Sequence, residues 1–255
     1  MMRFSVFFEL SSVIYYLVPV FGSLTSFYGG LCAANQSDIK RILAYSTISH
    51  CGFLMVSFST FLIDYTLFYL YVHGFFKAGV FLCVGNIIRF SQGYQDFRRM
   101  GGLYKYLPVE ACISAVGLFN LAGLPFSLGF IMKHLLFVAL GDFIYLSCLV
   151  YVLSFLGALT GLFYGLRLIY FMFFDFKKAR KYIFSSTQFK LNASKFYTNT
   201  TLGSTLAIVG LFIVAYFILF YFYAAIKDDH FSFNDVFAAN NSQSYELFHA
   251  GLNFQ

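Results

Sequence analysis

The chain has 255 residues, of which 60% are apolar and only 11% are charged, and its formal net charge is +6. A soluble globular domain usually carries about 25% charged residues, so this composition excludes an ordinary soluble domain. Several apolar runs reach the roughly 20 residues that a helix needs to cross a hydrocarbon core of about 30 Å. We therefore expect an all-α fold, a polytopic bundle of transmembrane helices.

The apolar runs predict six membrane spans. In chain order they cover about 10–34, 44–63, 66–88, 109–140, 143–174 and 202–225. The transmembrane bundle is thus expected over residues 1–225. Residues 226–255 are rich in Asp and Asn, which predicts a polar C-terminal tail that does not cross the membrane.

The charges between the predicted spans indicate an orientation. The loops after spans one, three and five are basic, whereas the two loops between them carry Asp64 and Asp142. Because basic loops stay on the cytoplasmic or matrix side, all three are expected on that face. Nucleic-acid binding would require a compact basic domain, and the sequence shows none, so topology and contact with lipid headgroups are the expected roles.

Lys77 lies in the middle of the third predicted span, where a lysine costs about 2.5–3.5 kcal/mol on insertion scales. Tyr69 and His73 precede it at intervals of four residues, so the three share one helix face that must contact protein or water. Hydrogen bonding between helices is one interpretation. We favour a proton relay, because an amine removed from water releases its proton more readily and histidine titrates near neutral pH.

The fourth predicted span contains Gly123 and Pro125 near its middle. Proline inside a helix removes a hydrogen bond, so we expect a broken helix, and broken membrane helices recur at ion pathways. Lys133 lies about two turns beyond the proline, and His134 follows it. Lys133 either extends to a headgroup or is buried, and the apolar run that follows it favours burial.

His50 lies inside the second predicted span, with Ser46 and Thr47 four and three residues before it on the same face. Hydroxyl groups in this arrangement can hold a chain of water molecules, although helix packing is the alternative role for His50. Arg167, near the end of the fifth span, is expected to be structural and close to the basic face.

No carboxylate lies deep in a predicted span, and the sequence shows no cofactor motif. Glu9 and Glu110 stand at span starts, so the buried lysines are expected to have no carboxylate partner. The five cysteines fall in apolar stretches without a CxxC pair, and there is no phosphate-binding loop or metal-spaced His/Cys cluster. We expect no metal, no bound cofactor and no redox chemistry on this chain.

Four stretches resemble, in colinear order, the antiporter-like membrane subunits of respiratory complex I, and among them the subunit 5 family. They are NQSDIKRILAYSTISHCG (35–52), HGFFKAGVFLCVGNIIRF with QDFRRMGGL (73–103), LAGLPFSLGFIMKHLL (121–136) and GLFYGLRLIY (161–170). The resemblance covers about residues 8–175 and corresponds to the second half of such a subunit.

The resemblance implies roles for individual residues. His73 and Lys77 match the histidine and lysine of the family's central channel. Lys133 matches the lysine of its broken helix, at the end of the proton path towards the intermembrane side. Ser46 and Thr47 fall in its AYST element near the channel.

The sequence departs from the family pattern at two positions. Tyr69 stands where the family often has a histidine, and His134 stands where it usually has an aspartate. Tyrosine carries protons poorly near neutral pH, and histidine does not supply the negative charge of aspartate. The exit part of the path is therefore expected either to work differently here or to be partly degenerate.

The resemblance also implies an activity, proton-translocating NADH:ubiquinone reduction at the mitochondrial inner membrane, with NAD, FMN, iron–sulfur clusters and ubiquinone on other subunits. A second chain is expected to supply the missing N-terminal half, as from a split gene, and a fragment is the alternative. Other expected partners are the neighbouring antiporter-like subunit 4, further membrane-arm and supernumerary subunits, and lipids. Two other functions stay open: a cation/proton antiporter subunit of the multi-subunit type, and a structural membrane subunit with a non-conducting channel.

Overall fold

The computed structural model describes residues 12–60, 63–91, 93–141, 147–175 and 202–227. Within these ranges the chain is helical and contains no β-strand. The helices are α1 (Ser12–Asn35), α2 (Ile39–Ser59), α3 (Ile63–Phe90), α4 (Pro108–Ala122), α5 (Leu128–Gly141), α6 (Ser147–Ile169) and α7 (Leu202–Lys227). Two short 3-10 turns (Phe97–Arg99 and Leu103–Lys105) precede α4, and a π-helical turn (Tyr170–Phe174) extends α6.

Four of these helices are long and apolar enough to cross a membrane: α1, α2, α3, and α6 with its π turn. The helices α4 and α5 and the segment 203–218 of α7 are shorter apolar helices. The prediction of an all-α polytopic membrane bundle is confirmed. The expected break in the fourth span is also present, because α4 ends at Ala122 and α5 begins at Leu128.

The broken pair α4 and α5 is held among the longer helices. Both halves contact α3 and α6, and α3 also packs against α2. The helix α1 packs most extensively against α2 and then against α6. This arrangement brings residues from α2, α3 and α6 to the point where the fourth span is interrupted.

Small residues allow α1 and α2 to approach closely. A Cβ atom on Gly52 of α2 would lie 2.6 Å from the carbonyl oxygen of Gly22 on α1, and one on Gly29 would lie 2.7 Å from the backbone nitrogen of Ser49. The hydroxyl of Ser49 donates to the carbonyl of Ser26 at 2.8 Å. Membrane helices associate through such small residues and hydrogen bonds because hydrophobic burial does not drive association in lipid.

The loops that follow α1 and α3 lie at the same end of the helices. Residues 37–39 pair with residues 95–97 in an antiparallel bridge, in which the N–H of Ile39 donates to the carbonyl of Gln95 at 3.0 Å. This agrees with the charge alternation, which places both basic loops on one face. Most of the third basic loop (176–201) lies outside the described residues.

The bridge also explains where α2 begins. The backbone of Asp38 is extended, with φ −83° and ψ 123°, and the helix starts directly after it. The start is about one turn earlier than the sequence predicted, so Lys40 and Arg41 lie in the first turn of α2 and not in a loop.

Asp96 closes the turn on the other side of this bridge. Its carboxylate accepts hydrogen bonds from the backbone N–H of Arg98 at 3.0 Å and from the Arg98 guanidinium at 2.9 Å. The side-chain hydrogen bond from Arg98 lowers the pKa of the Asp96 carboxyl group. The carboxyl group is therefore ionised at neutral pH and keeps the turn capped.

The chain divides into two compact units, residues 1–213 and residues 214–255. The sequence-predicted site residues all belong to the first unit. Apart from its first two positions, the predicted polar tail (226–255) lies outside the described residues. The boundary between bundle and tail stays a prediction.

The close approach of α1 and α2 predicts that Gly52→Ala destabilises the protein. The added methyl would overlap the α1 backbone, and overpacking of this kind costs about 1–3 kcal/mol. Gly74→Ala in α3 is the matched control, because nothing lies within 4 Å of its added methyl. The midpoint of thermal unfolding, measured in the native membrane assembly, should fall for Gly52→Ala and not for Gly74→Ala. Equal midpoints for the two variants would contradict this account of the interface.

Candidate functional site

Lys77 is buried in α3 and does not extend to the membrane surface. Its side chain is 5% exposed, and its Nζ atom lies 5.6 Å from the centroid of the Phe81 ring. Among the described residues, Nζ has no hydrogen-bond partner. The aromatic face gives the ammonium partial electrostatic stabilisation, which leaves its protons available for exchange.

His50 of α2 completes a polar cluster with two residues of α3. The hydroxyl of Tyr69 lies 2.9 Å from His50 Nδ1, and the rings of His50 and His73 are stacked with their centroids 4.6 Å apart. His73 Nε2 has no hydrogen-bond partner in the part of the chain that the structure describes. Two imidazoles from different helices therefore lie together, one helical turn from Lys77.

The break in the fourth span is built around Gly123. This glycine caps the C-terminus of α4 with φ 78°, a left-handed conformation that a glycine adopts without strain. A Cβ atom there would lie only 2.8 Å from Lys133 Cδ, so the missing side chain also makes room for the lysine. Phe126, also with a positive φ of 67°, lies in the link to α5.

Lys133 extends from α5 back to the end of α4. Its Nζ atom donates to the carbonyl of Leu121 at 3.0 Å and to that of Ala122 at 2.9 Å, and it lies 5.5 Å from the centroid of the Phe53 ring. These are the last carbonyl groups of α4, and the negative end of a helix stabilises a cation. Lys133 is buried in this arrangement, as the sequence favoured, and does not extend to a headgroup.

Asn120 joins the two halves of the broken helix. Its Nδ2 donates to the carbonyl of Val116 at 2.8 Å, and its Oδ1 accepts from the backbone N–H of Leu128 at 2.9 Å. The first N–H of α5 is therefore satisfied by a side chain of α4. Sequence reasoning missed this residue, although a lone amide three residues before Gly123 in an apolar span was the available signal.

A small cavity connects the imidazole pair with the break. Its wall is formed by His50, Tyr69, Val72, His73, Phe76, Asn120, Leu121, Gly129 and Lys133. The space accommodates on the order of one water molecule. The structure thus brings together four of the predicted residues, His50, Tyr69, His73 and Lys133, around one cavity.

Four predicted residues do not line this cavity: Lys77, Ser46, Thr47 and His134. His134 is exposed, and its ring contacts Phe130 with the centroids 5.7 Å apart. Thr47 is half-buried, and its hydroxyl donates to the carbonyl of Ala44 within its own helix. Neither side chain lines the cavity.

Ser46 contacts a residue that sequence reasoning missed. Its hydroxyl lies 2.6 Å from the hydroxyl of Tyr164 on α6, and both side chains are buried. The tyrosine was visible inside the GLFYGLRLIY stretch, but nothing local in the sequence pairs it with Ser46.

Glu110 adds a buried carboxyl group at the start of α4, and the expectation that the buried lysines have no carboxylate partner stays a prediction. This residue lies in the first turn of α4 and is fully buried, at a helix end that favours negative charge. It is within electrostatic range of Cys83, which lies on α3 beyond Lys77 towards the basic loops. The carboxylate stands near the start of α4, as the sequence placed it, but it is enclosed by protein.

Arg167 contacts the end of α1. Its guanidinium donates to the carbonyl of Ala34 and lies 4.9 Å from the centroid of the Phe97 ring. A cation at a helix C-terminus is stabilising. These contacts fit the structural role that the sequence suggested for this arginine.

Comparison with known proteins identifies the family. The family model described as "NADH:quinone oxidoreductase/Mrp antiporter, TM" matches residues 1–163. The chain belongs to this family of membrane subunits. Together with the four long apolar helices, this makes it a multi-pass membrane protein and confirms the resemblance seen in the sequence motifs.

Individual relatives carry more specific names. The chain is 48% identical over 227 residues to "NADH-ubiquinone oxidoreductase chain 5" of Paramecium tetraurelia. This match covers 86% of this chain and 39% of that protein. The chain of the same name from Metridium senile is 33% identical over 216 residues, covering 85% and 35%. This chain therefore spans less than half the length of these relatives.

A solved structure supports the fold. The Mrp complex from Dietzia sp. DQ12-45-1b contains a chain that matches with a TM-score of 0.54 and 28% identity. The match covers 63% of this chain and 30% of that chain.

The double role of Asn120 predicts that Asn120→Ala destabilises the break. The substitution leaves the N–H of Leu128 buried without its acceptor, which costs about 1–3 kcal/mol. Ser114→Ala on the same helix is the control, because within the described ranges its buried hydroxyl bonds only to the carbonyl of Ala111 one turn before it. The midpoint of thermal unfolding in the native assembly should fall clearly for Asn120→Ala alone. A similar fall for Ser114→Ala would show that Asn120 has no special role at the break.

Proposed function

We propose that this chain is part of the proton-translocating membrane arm of NADH:ubiquinone oxidoreductase, respiratory complex I. The observation that carries the proposal is the placement of Lys133 and the His50–His73 pair around one cavity at a broken membrane helix, with Lys77 one turn away. Ionisable side chains inside a membrane bundle mark ion pathways and proton relays. The names of the relatives favour complex I as the assembly that uses this relay.

The side chains of the proposed relay can accept and release a proton in turn. His73 lies one turn from Lys77 on the same face of α3, so a proton released by the ammonium has an imidazole within reach. An imidazole that accepts a proton on one nitrogen can release one from the other. His50, stacked on His73 and bonded to Tyr69, offers the next acceptor. A single water molecule in the cavity then suffices to pass the proton towards Lys133.

Lys133 is suited to hold a proton and release it. Its two carbonyl partners and the C-terminus of α4 stabilise the ammonium form, while its burial removes the stabilisation that water would give. Moving one charge against 100 mV requires about 2.3 kcal/mol. Small changes at the break therefore suffice to shift the balance between the two protonation states.

The assembly that surrounds the chain is part of the same proposal. The chain lies in the mitochondrial inner membrane with its basic loops towards the matrix, in agreement with the positive-inside rule. The antiporter-like subunit 4 and other membrane-arm and supernumerary subunits lie beside it. NADH, FMN, iron–sulfur and ubiquinone chemistry takes place on other subunits.

A second candidate is a cation/proton antiporter subunit, and the similarity to the Mrp complex favours it. Identity is 28% to that structure and 48% to the Paramecium chain, which is why complex I is preferred. Purification of the native assembly separates the two candidates. NADH-oxidising subunits that co-purify with the chain support complex I, and their absence supports the antiporter.

Lys77→Arg and Lys77→Met test the relay itself. Arginine keeps the positive charge but does not release its proton in proteins, so both variants should block proton transfer. We expect proton flux through this chain to fall about 100-fold, as for loss of a general acid–base group. The measurement is proton uptake per NADH oxidised by the purified assembly in lipid vesicles.

Lys40→Arg and Lys40→Met are the matched controls for charge, because Lys40 is exposed in the first turn of α2. They should retain proton uptake. If Lys77→Arg retained uptake while Lys77→Met lost it, Lys77 would serve only as a fixed charge. If both Lys77 variants behaved like the Lys40 variants, the channel would be non-conducting and the proposal would fail.

A further inference from the structure

A phenylalanine of α7 fills a notch between α3 and α4. Phe212 is 8% exposed, and it belongs to the same compact unit as α3 and α4. A Cβ atom on Gly79 of α3 would lie 2.7 Å from Cε1 of its ring, and one on Gly117 of α4 would lie 3.1 Å from Cζ. The two glycines therefore leave the space that the ring occupies, and a side chain at either position would collide with it.

The ring of Phe212 contacts a residue that forms the wall of the cavity. Its centroid lies 5.1 Å from that of the Phe76 ring, and the two planes are inclined by 37°. Phe76 is 1% exposed and lines the cavity. Because Phe76 and Gly79 are three residues apart on one face of α3, Phe212 packs against the helical turn that contains Lys77.

A second contact attaches α7 to α3 at a greater distance from the cavity. The side-chain amide of Asn86 donates to the hydroxyl of Ser204 at 3.0 Å, and this hydroxyl donates to the amide oxygen at 3.2 Å. Polar side chains of this kind join helices within a membrane. Asn86 lies nine residues beyond Lys77, which is about 14 Å along the helix. The hydrogen bonds and the aromatic contact are thus separate attachments of α7.

The position of the Lys77 ammonium depends on the backbone of α3. No hydrogen bond within the described ranges holds its Nζ atom, which lies over the Phe81 ring of the same helix. Proton transfer requires groups within hydrogen-bond reach, and a displacement of about 1 Å can lower a rate about 100-fold. A side chain that fixes the turn around Lys77 therefore affects the relay without taking part in proton transfer.

We propose that Phe212 is a positioning residue of the proton relay, a wedge that holds the turn of α3 with Phe76 and Lys77 against the cavity. The proposal rests on the proposed function. The wedge sets the spacing of α3 and α4, because its ring contacts a glycine of each helix. Loss of the ring would leave a void beside Phe76, which the surrounding structure fills only in part. The turn of α3 would then no longer be fixed from the side of α7.

Attachment of α7 to the bundle is the alternative role for Phe212. Ser204→Ala separates the two roles, because it removes the hydrogen bonds to Asn86 and leaves the ring of Phe212 in its notch. If α7 only has to be attached, loss of either contact should have the same effect on proton uptake. If Phe212 acts as a wedge, only the loss of its ring should lower uptake.

The notch itself supplies a second, paired test. The methyl of Gly79→Ala would lie 2.7 Å from Phe212 Cε1 and would displace the ring. Phe212→Leu removes Cε1 and Cζ but keeps atoms close to the Cδ positions, and Cδ1 would lie 3.5 Å from the added methyl, an ordinary contact. The double variant, Gly79→Ala with Phe212→Leu, thus fills the notch again without overlap. A wedge predicts that the second substitution rescues the first.

The measurement is proton uptake per NADH oxidised by the purified assembly in lipid vesicles, and the part that Lys77→Met removes is assigned to this chain. We expect that part to fall about tenfold or more in Phe212→Ala and in Gly79→Ala. It should stay unchanged in Ser204→Ala and recover in the double variant. The midpoint of thermal unfolding should fall in Ser204→Ala as well as in Phe212→Ala, so reduced stability would not explain the difference in uptake.

Three results would overturn the wedge. One is normal uptake by Phe212→Ala. Another is an equal loss of uptake in Ser204→Ala and Phe212→Ala, since α7 would then only have to be attached. The third is a double variant with no more uptake than Gly79→Ala alone. If Phe212→Ala fails to assemble, Gly79→Ala and the double variant decide. Normal uptake by Lys77→Met would defeat the proposed function itself, whereas loss of uptake there with normal uptake by Phe212→Ala defeats only the wedge.

Discussion

A helix that breaks inside a bilayer exposes carbonyl and N–H groups where no water is at hand to bond them. In this chain three side chains meet that requirement, and one of them is Ser127, whose hydroxyl accepts from the N–H of Phe130 at 3.2 Å. Asn120 gives an acceptor to the first N–H of α5, and the ammonium of Lys133 gives donors to the last two carbonyls of α4. The rest of the site depends on these bonds, because the cavity and the neighbouring helices are arranged around the break.

In the proposed relay, the same ammonium group stabilises the fold and carries the proton. A neutral amine still has two N–H donors for the two carbonyls, but it loses the attraction between its charge and the C-terminus of α4. Such helix-end interactions contribute typically 0.3–1 kcal/mol, and up to about 2 kcal/mol where partly buried. Protonation of Lys133 and the geometry of the break are thus coupled. This coupling offers a route by which movement of the membrane helices changes the affinity of the site for a proton.

Local chemistry made part of this arrangement predictable from the sequence. Gly123 and Pro125 indicated the break, because their effect on a helix does not depend on distant residues. The four-residue spacing of Tyr69, His73 and Lys77 indicated one shared face. Contacts between helices were not predictable in this way. The pairing of Ser46 with Tyr164 depends on helix packing and leaves no local pattern. The burial of Glu110 likewise depends on what packs over the start of α4.

Tyr69 shows how helix packing can compensate for a position at which this sequence differs from the family pattern. In the sequence, a tyrosine in place of a histidine weakens the relay on α3, because the phenol carries protons poorly near neutral pH. In the structure its hydroxyl bonds to Nδ1 of His50, and the His50 ring stacks on His73. The second imidazole next to His73 is thus supplied by α2 and oriented by Tyr69. In the proposed relay, Tyr69 therefore has no need to carry the proton itself, because its hydroxyl fixes the His50 ring to which that role is assigned.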